Sequence, residues 1–329
     1  MKVLLTHTPA SRAQYYGPKA LAALRELAEV MLHEGEAALT PADLVATAAE
    51  ADLIVADRLT AGPAEIFPRL PRLRAFVRCA VDIRNIDTVA ASQAGVLVTH
   101  AAPGFIASVT ELGIGFLVDL SRGISRATGD YRAGRRPEVR MGRQLQGSRL
   151  GIIGYGGIGR SLAAAAAALG MEVLVTDPHA KVEEPRFRQV GFETLLAEAD
   201  YVVCLAVATE ETENLIDAAA LALMRPEAFF INLSRGNLAD ETALAAALRE
   251  GRIAGAAMDV GRETDQMPSP ELAQLPNVVA TPHIGGLTPP AIEAQAFDTV
   301  RQVRSILAGE VPDGAVNAES WTRRPAGEA

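Results

Sequence analysis

The chain has 329 residues, of which 49% are hydrophobic and 22% charged, and its formal net charge is −9. That length has room for about two domains, each with its own core, and the composition is that of a soluble globular protein. The acidic balance argues against a nucleic-acid or anionic-membrane surface; no apolar run is long enough to span a bilayer and no signal-peptide segment follows Met1-Lys2, so a cytoplasmic location is expected.

The first segment alternates short apolar runs with helical patterns. The runs are Val3-Leu4-Leu5, Val30-Met31-Leu32, Leu53-Ile54-Val55-Ala56, Ala75-Phe76-Val77 and Val96-Leu97-Val98, and the helical patterns cover 18–28, 41–49 and 63–70. Five strands joined by crossovers predict a small parallel α/β domain. Pro18, Pro41 and Pro63 suit first-turn helix positions. Residues 108–125 predict one long helix, with Glu111 completing a Ser-x-x-Glu capping box that starts at Ser108. Residues 132–146 are rich in glycine and arginine, lack a period, and read as an exposed connection.

The stretch 149–177 is the most informative in the chain. A strand-like run, Leu150-Gly151-Ile152-Ile153, leads into Gly154-Tyr155-Gly156-Gly157-Ile158-Gly159, which has the G-x-G-x-x-G spacing. An alanine-rich helix to Leu169 follows, Gly170 caps it, and a strand ends at Asp177. Gly154 permits a tight turn, Gly156 leaves the backbone open to a pyrophosphate, and Gly159 lets the helix pack on the strand. The helix N-terminus offers unpaired N–H groups to phosphates. Asp177, about 20 residues on, can accept from both ribose hydroxyls and would repel a 2′-phosphate, so NAD is favoured over NADP. His179, just past Asp177, is a basic residue that works against that preference.

From Leu150 onward the strands read as 150–153, 172–176, 201–206, 228–232, 254–258 and 278–280, a six-stranded doubly wound sheet. Ligands of such sheets bind outside the carboxyl ends of the strands, which draws attention to the glycine loop, Asp177, Val207-Ala208-Thr209, Ser234-Arg235-Gly236, Asp259 and Thr281-Pro282-His283. Cys79 and Cys204 belong to no C-x-x-C pattern and the five histidines form no cluster, so no metal is expected. Residues 289–307 predict a long helix that crosses back to the first domain and pairs with the one at 108–125. The tail ends in a Pro/Gly/Glu-rich segment expected to be disordered.

The run Ile231-Asn232-Leu233-Ser234-Arg235-Gly236, with Asp240-Glu241, Gly251-Arg252-Ile253-Ala254-Gly255-Ala256, Asp259-Val260 and Thr281-Pro282-His283-Ile284-Gly285-Gly286, resembles the D-isomer-specific 2-hydroxyacid dehydrogenases. Asn85-Ile86-Asp87 and Asn317 echo the family in the smaller domain. The fold expected is α/β with two Rossmann-like domains: an NAD-binding domain over 101–289, inserted into a flavodoxin-like substrate domain formed by 1–100 and 290–317, with a tail at 318–329. The resemblance implies that Arg235 holds the substrate carboxylate and keto oxygen, that His283 is the general acid/base, and that Asp259 bonds the nicotinamide carboxamide. A guanidinium matches a carboxylate bidentately, and an imidazole titrates near neutrality, so both assignments are chemically sound. Cofactor contacts are expected from Gly154, Gly156, Gly157, Ile158, Gly159, Asp177, Val207, Thr212, Leu233, Asp259 and His283. A homodimer is also implied.

Two departures from the family pattern stand out. The family's glutamate, which orients the histidine, has no direct counterpart in Asp259-Val260-Gly261-Arg262-Glu263-Thr264-Asp265-Gln266-Met267-Pro268. Counting from Asp259 its place falls on Thr264; counting back from Pro268 it falls on Asp265, which is favoured because a carboxylate stabilises imidazolium, with Glu263 as second candidate. The substrate loop reads Arg78-Cys79-Ala80-Val81-Asp82-Ile83-Arg84 where the family carries glycines, so Val81, Asp82, Arg84 and His100, together with Arg235, are the candidate substrate contacts. Asp82 either pairs with Arg84 or recognises a hydroxyl or cation of the substrate. The leading expectation is an NAD-dependent oxidoreductase interconverting a 2-oxo acid and a D-2-hydroxy acid, with the domains closing on the substrate. The alternatives are an NAD(H)-responsive binding protein on the same fold, then a dehydrogenase of formate or phosphite.

Overall fold

The computed structural model describes residues 1–325, which form two compact units: Met1–Gly104 with the chain from Pro289 onward, and Phe105–Thr288.

In the first unit β1 (Lys2–Leu5), β2 (Glu29–Leu32), β3 (Leu53–Ala56), β4 (Ala75–Arg78) and β5 (Leu97–His100) form a parallel sheet in the order β2-β1-β3-β4-β5. Helices α1 (Pro9–Tyr15), α2 (Pro18–Leu27), α3 (Pro41–Thr47) and α4 (Thr88–Gln93) lie between them, and a 3-10 turn, Ala64–Arg69, stands where a helix was expected over 63–70. Successive strand residues point to opposite faces. Leu5, Val55 and Val77 meet Leu24 of α2 on one side, and Leu4, Ile54 and Phe76 meet Leu44 and Phe67 on the other. With both faces covered the strands carry no polar alternation, and each fully buried side chain contributes about 1.5–3 kcal/mol.

The C-terminal helix Pro289–Leu307 buries Ala296, Val300, Val303 and Ile306, one stripe at helical spacing, and packs on α2 and β4. The tail beyond it is anchored. Trp321 is buried and its Nε1 donates to Arg74 O at 3.0 Å, while the Arg323 guanidinium reaches the carbonyls of Leu70 and Leu73. Residues 326–329, within the Pro/Gly/Glu-rich end expected to be disordered, lie outside the described residues.

The second unit opens with α5 (Ile106–Arg122) and α6 (Ile124–Arg132), followed by β6 (Arg149–Ile153), α7 (Gly157–Ala168), β7 (Glu172–Thr176) and β8 (Phe187–Gln189). It continues with α8 (Phe192–Glu198), β9 (Tyr201–Cys204), α9 (Ala218–Leu223), β10 (Phe229–Asn232), α10 (Glu241–Arg249), β11 (Gly255–Met258), α11 (Pro270–Ala273) and β12 (Val278–Ala280). The parallel sheet runs β12-β11-β10-β9-β6-β7-β8, so it has seven strands and not the expected six. The extra strand is β8, which pairs with β7 at the edge. Strand order reverses between β6 and β9, which makes their carboxyl ends a switch point.

The expected helix over 108–125 is two helices, divided by Gly123 in the left-handed region. Ser108 is not its cap. The helix begins at Ile106 with no side-chain cap, and the Ser108 hydroxyl instead meets that of Thr288 at 2.6 Å. Within the second unit α5 packs on α7. Among the described residues no helix is long and apolar enough to cross a membrane.

Candidate active site

The glycine loop leaves β6 through Gly154, whose φ of +98° suits glycine, and a Cβ there would lie 2.6 Å from the Leu205 carbonyl oxygen. A Cβ on Gly159 would come within 2.2 Å of Gly154 O, so α7 can seat against the loop only without one. At Gly156 a Cβ would meet nothing within 4 Å, and this residue starts α7 with no side-chain cap. The first turn of this twelve-residue helix thus has no side-chain cap on its N–H groups, the condition a pyrophosphate site requires.

Asp177, just beyond β7, ties this loop to its own strand end. Its Oδ2 accepts from Tyr155 N at 2.7 Å, and its Oδ1 from His179 N at 2.8 Å and Ala180 N at 2.7 Å. Partial burial pushes its pKa up, but these three N–H donors and the His179 charge outweigh burial, and the net shift is downward. The result is an ionised acceptor suited to ribose hydroxyls. Val207, 76% exposed, follows β9, and Thr212 donates its hydroxyl to Val207 O at 2.8 Å, shaping the adjacent turn. Leu233 is buried beyond β10. These features fit NAD.

Three neighbouring strands, β10, β11 and β12, are followed by a guanidinium, a carboxylate and an imidazole. Arg235 follows β10, half-buried, with Nη1 donating to Ser234 O at 2.8 Å and its own carbonyl accepting from Asn232 Nδ2 at 2.9 Å. Its successor Gly236 is pressed against the loop after β11: a Cβ there would stand 2.0 Å from the Gly261 carbonyl carbon. Asp259, 3% exposed at the end of β11, accepts through Oδ1 from the Thr281 hydroxyl at 2.6 Å and Ile284 N at 2.9 Å, and through Oδ2 from Gly285 N at 2.8 Å. Its carbonyl also receives the His283 N–H at 2.9 Å. The carboxylate expected to bond a nicotinamide carboxamide thus clamps the loop that carries the histidine, a role absent from the sequence reading.

His283 sits in the left-handed region with φ +55°, an unusual setting for a non-glycine residue. Its Nδ1 lies 2.7 Å from the main-chain oxygen of Asp265. A carbonyl only accepts, so Nδ1 carries the hydrogen and the neutral ring has its lone pair on Nε2. The contact with the ring comes from the backbone of Asp265; Glu263 is exposed and begins a short 3-10 turn.

In the first unit Asp82 and Arg84 are paired: Nε donates to both carboxylate oxygens at 3.0 and 3.1 Å and Nη2 to Oδ2 at 2.6 Å. Val81 is half-buried on the same loop. His100 ends β5, with Nδ1 3.1 Å from Ala101 O. Beneath this loop lies a buried polar group that the sequence did not announce. Arg78, 0% exposed, donates to the carbonyls of Asp57 and Thr60 and to Asn85 Oδ1, and burial pushes its pKa down to about 10. His7 stands nearby, 1% exposed, with Nδ1 unpartnered. Burial pushes it down to about 4 against the pull of Asp57. No pattern of spacing marks these residues, because their burial arises only when the strand ends come together. Among the described residues no three His, Cys, Asp or Glu side chains are grouped to hold a metal ion.

Residues 114–285 match the family model described as the NAD binding domain of D-isomer specific 2-hydroxyacid dehydrogenase. The chain is 37% identical to a D-3-phosphoglycerate dehydrogenase of Mycobacterium leprae over 84% of its own length and 53% of that protein's, so it spans about half the length of this relative. It is 38% identical to the (S)-sulfolactate dehydrogenase of Chromohalobacter salexigens, over 78% of this chain and 84% of that one. The crystal structure of the TT0316 protein from Thermus thermophilus superimposes with a TM-score of 0.86 at 32% identity, covering 96% of this chain and 100% of the other. The second unit is an NAD-binding domain, and the chain belongs to the D-isomer-specific 2-hydroxyacid dehydrogenase family.

Proposed function

We propose that this protein is an NAD-dependent oxidoreductase that interconverts a 2-oxo acid and a D-2-hydroxy acid. The observation that carries the reading is the placement of Arg235 and His283 after β10 and β12, two strands apart on the carboxyl edge that also bears the glycine loop. Two strand spacings amount to roughly 10 Å, a span that one small 2-oxo acid and its two partners can fill.

Bound NAD supplies the nicotinamide ring that gives or takes the hydride. Arg235 grips the substrate carboxylate and keto oxygen, and its fixed positive charge stabilises negative charge developing on that oxygen. His283 delivers a proton from Nε2 to the keto oxygen in reduction and removes it in oxidation, while Nδ1–H stays on Asp265 O. Asp265, or less favourably Glu263, belongs with His283 in the proposed catalytic group. Gly154, Gly156, Gly157, Ile158, Gly159, Asp177, Val207, Thr212 and Leu233 form the proposed cofactor surface. Val81, Asp82, Arg84 and His100 are the proposed substrate contacts of the first unit; the Asp82–Arg84 pairing supports this, since it offsets the charge that Asp82 would otherwise bring to an anion.

A cytoplasmic homodimer is the proposed state. Val139, Met141 and Tyr131, 95%, 100% and 71% exposed on and beyond α6, are apolar side chains of the kind a second copy would cover, and sedimentation analysis tests the dimer: a monomer at micromolar concentration refutes it.

The activity test mixes purified protein with NADH and a panel of 2-oxo acids and follows the nicotinamide absorbance. Turnover of at least one, giving the D product, supports the reading. Absence of turnover with NADH shown to bind overturns it in favour of an NAD(H)-responsive binding protein.

A further inference from the structure

We infer that His283 is oriented by a main-chain carbonyl, that of Asp265, and that Arg262 is the positioning residue that holds this carbonyl in place; the inference rests on the acid/base reading of His283. The loop after β11 turns on two consecutive left-handed residues, Asp265 and Gln266, both with φ +62° and neither a glycine. Such a pair persists only where surrounding contacts over-determine it.

Those contacts are present. Gly261 N donates to Gln266 O at 2.7 Å, Gln266 N to Glu263 O at 2.9 Å and Glu263 N to Met267 O at 3.1 Å, which closes the loop on itself. Arg262 then fastens it to the turn that follows Arg235. Its Nη2 donates to Asn237 O at 3.0 Å, Ala239 O at 3.2 Å and Asn214 Oδ1 at 2.5 Å, and its Nη1 lies 2.9 Å from Glu213 Oε1. Its main-chain N–H donates to Glu241 Oε1 at 2.9 Å. The tight seat of Gly236 on Gly261 sets the same two segments backbone to backbone. The Arg235 turn and the partner of the His283 ring therefore move as one body.

A carbonyl suits this task in a way that a carboxylate does not. It accepts from Nδ1–H whether the ring is neutral or charged, so it fixes the tautomer and the ring plane without itself titrating. It also gives the ring a fixed acceptor in a loop where no glutamate stands at Thr264 or Asp265, the two positions that align with the family's.

The test uses the full chain with ¹⁵N-labelled histidine, the His283 ring signals being assigned by their loss in His283→Gln. At a pH where the ring is neutral, the wild type and Asp265→Asn are expected to show hydrogen on Nδ1; asparagine keeps the carbonyl and tolerates the left-handed region. Arg262→Ala is expected to shift the population to the Nε2–H form, and to lower kcat with NADH and a 2-oxo acid at least tenfold while the KM for NADH changes less than twofold. Should Arg262→Ala fail to fold, Arg262→Lys gives the same comparison, because an ammonium cannot reach this set of acceptors together. Loss of the Nδ1–H form in Asp265→Asn, or its retention with full kcat once Arg262 is replaced, overturns the inference. A wild type without turnover would instead remove the dehydrogenase reading, and the ring signals would still report on Asp265.

Discussion

Replacing Asp259 by asparagine probes whether the His283 loop depends on one buried carboxylate. With its oxygen in the Oδ1 position the amide keeps Thr281 and Ile284 but sets an N–H against the Gly285 N–H. Turned over, it keeps Gly285 and sets an N–H against that of Ile284, while the Thr281 hydroxyl can reverse and accept. Either way one buried main-chain donor loses its acceptor, at about 1–3 kcal/mol. If the aligned loop is needed in the transition state, that energy appears as roughly a 5- to 150-fold fall in kcat. A group whose only task were to touch the nicotinamide would place the loss in cofactor affinity instead, so kcat is measured with NADH and a 2-oxo acid beside the NADH dissociation constant from nicotinamide fluorescence. A folded Asp259→Asn protein with kcat within twofold of wild type would refute the clamp.

The other predictions concern the cofactor, the paired turns and acid stability. Asp177→Ala removes a charged acceptor together with its tie to Tyr155 N, and NADH binding should weaken by on the order of 10- to 100-fold, the equivalent of about 1.5–3 kcal/mol for a charged hydrogen bond; unchanged binding in titration would exclude the ribose role. Gly236→Ala drives a Cβ into the Gly261 backbone, and overpacking of this kind costs about 1–3 kcal/mol; a lowered urea midpoint and a loss of turnover are expected together, and wild-type values of both would show that the turns are not coupled. His7 is held near 4 in the fold against 6.5 for an ordinary histidine, so the unfolded chain binds the extra proton between those values. Stability is therefore undiminished above pH 6.5, falls as pH drops towards 4, and is lower by roughly 3 kcal/mol at the bottom of that window. His7→Gln should flatten this slope in urea unfolding series, and parallel pH profiles for the two proteins would sink the assignment.

What was legible in the chain depended on whether a role belongs to a side chain at a recognisable spacing. Leu53-Ile54-Val55-Ala56 could be read as a buried strand because both its faces are apolar, and the glycine hexad could be read because two of its positions, Gly154 and Gly159, lie against backbone where no Cβ fits. Arg235 and His283 stood out because they follow strands in a parallel sheet, where binding groups gather. By contrast β8 has three residues, two of them exposed, and joins the sheet through backbone bonds to β7, so no hydrophobic period announces it. Ser108 and Glu111 have the spacing of a capping box, yet the helix starts earlier, where Ile106 packs beside Gly157 and the serine hydroxyl meets Thr288. The same reasoning accounts for Asp265. Its carboxylate invited attention because carboxylates are what a sequence displays, whereas the atom that meets the imidazole is a carbonyl oxygen that every residue possesses. Only the left-handed turn aims it, and two successive positive φ angles at Asp265 and Gln266 follow from closing the loop over Gly261 and leave no mark in the residue types. The oxygen bonded to the ring in this chain is a main-chain atom, so a search by residue type for the group that meets the imidazole passes over it.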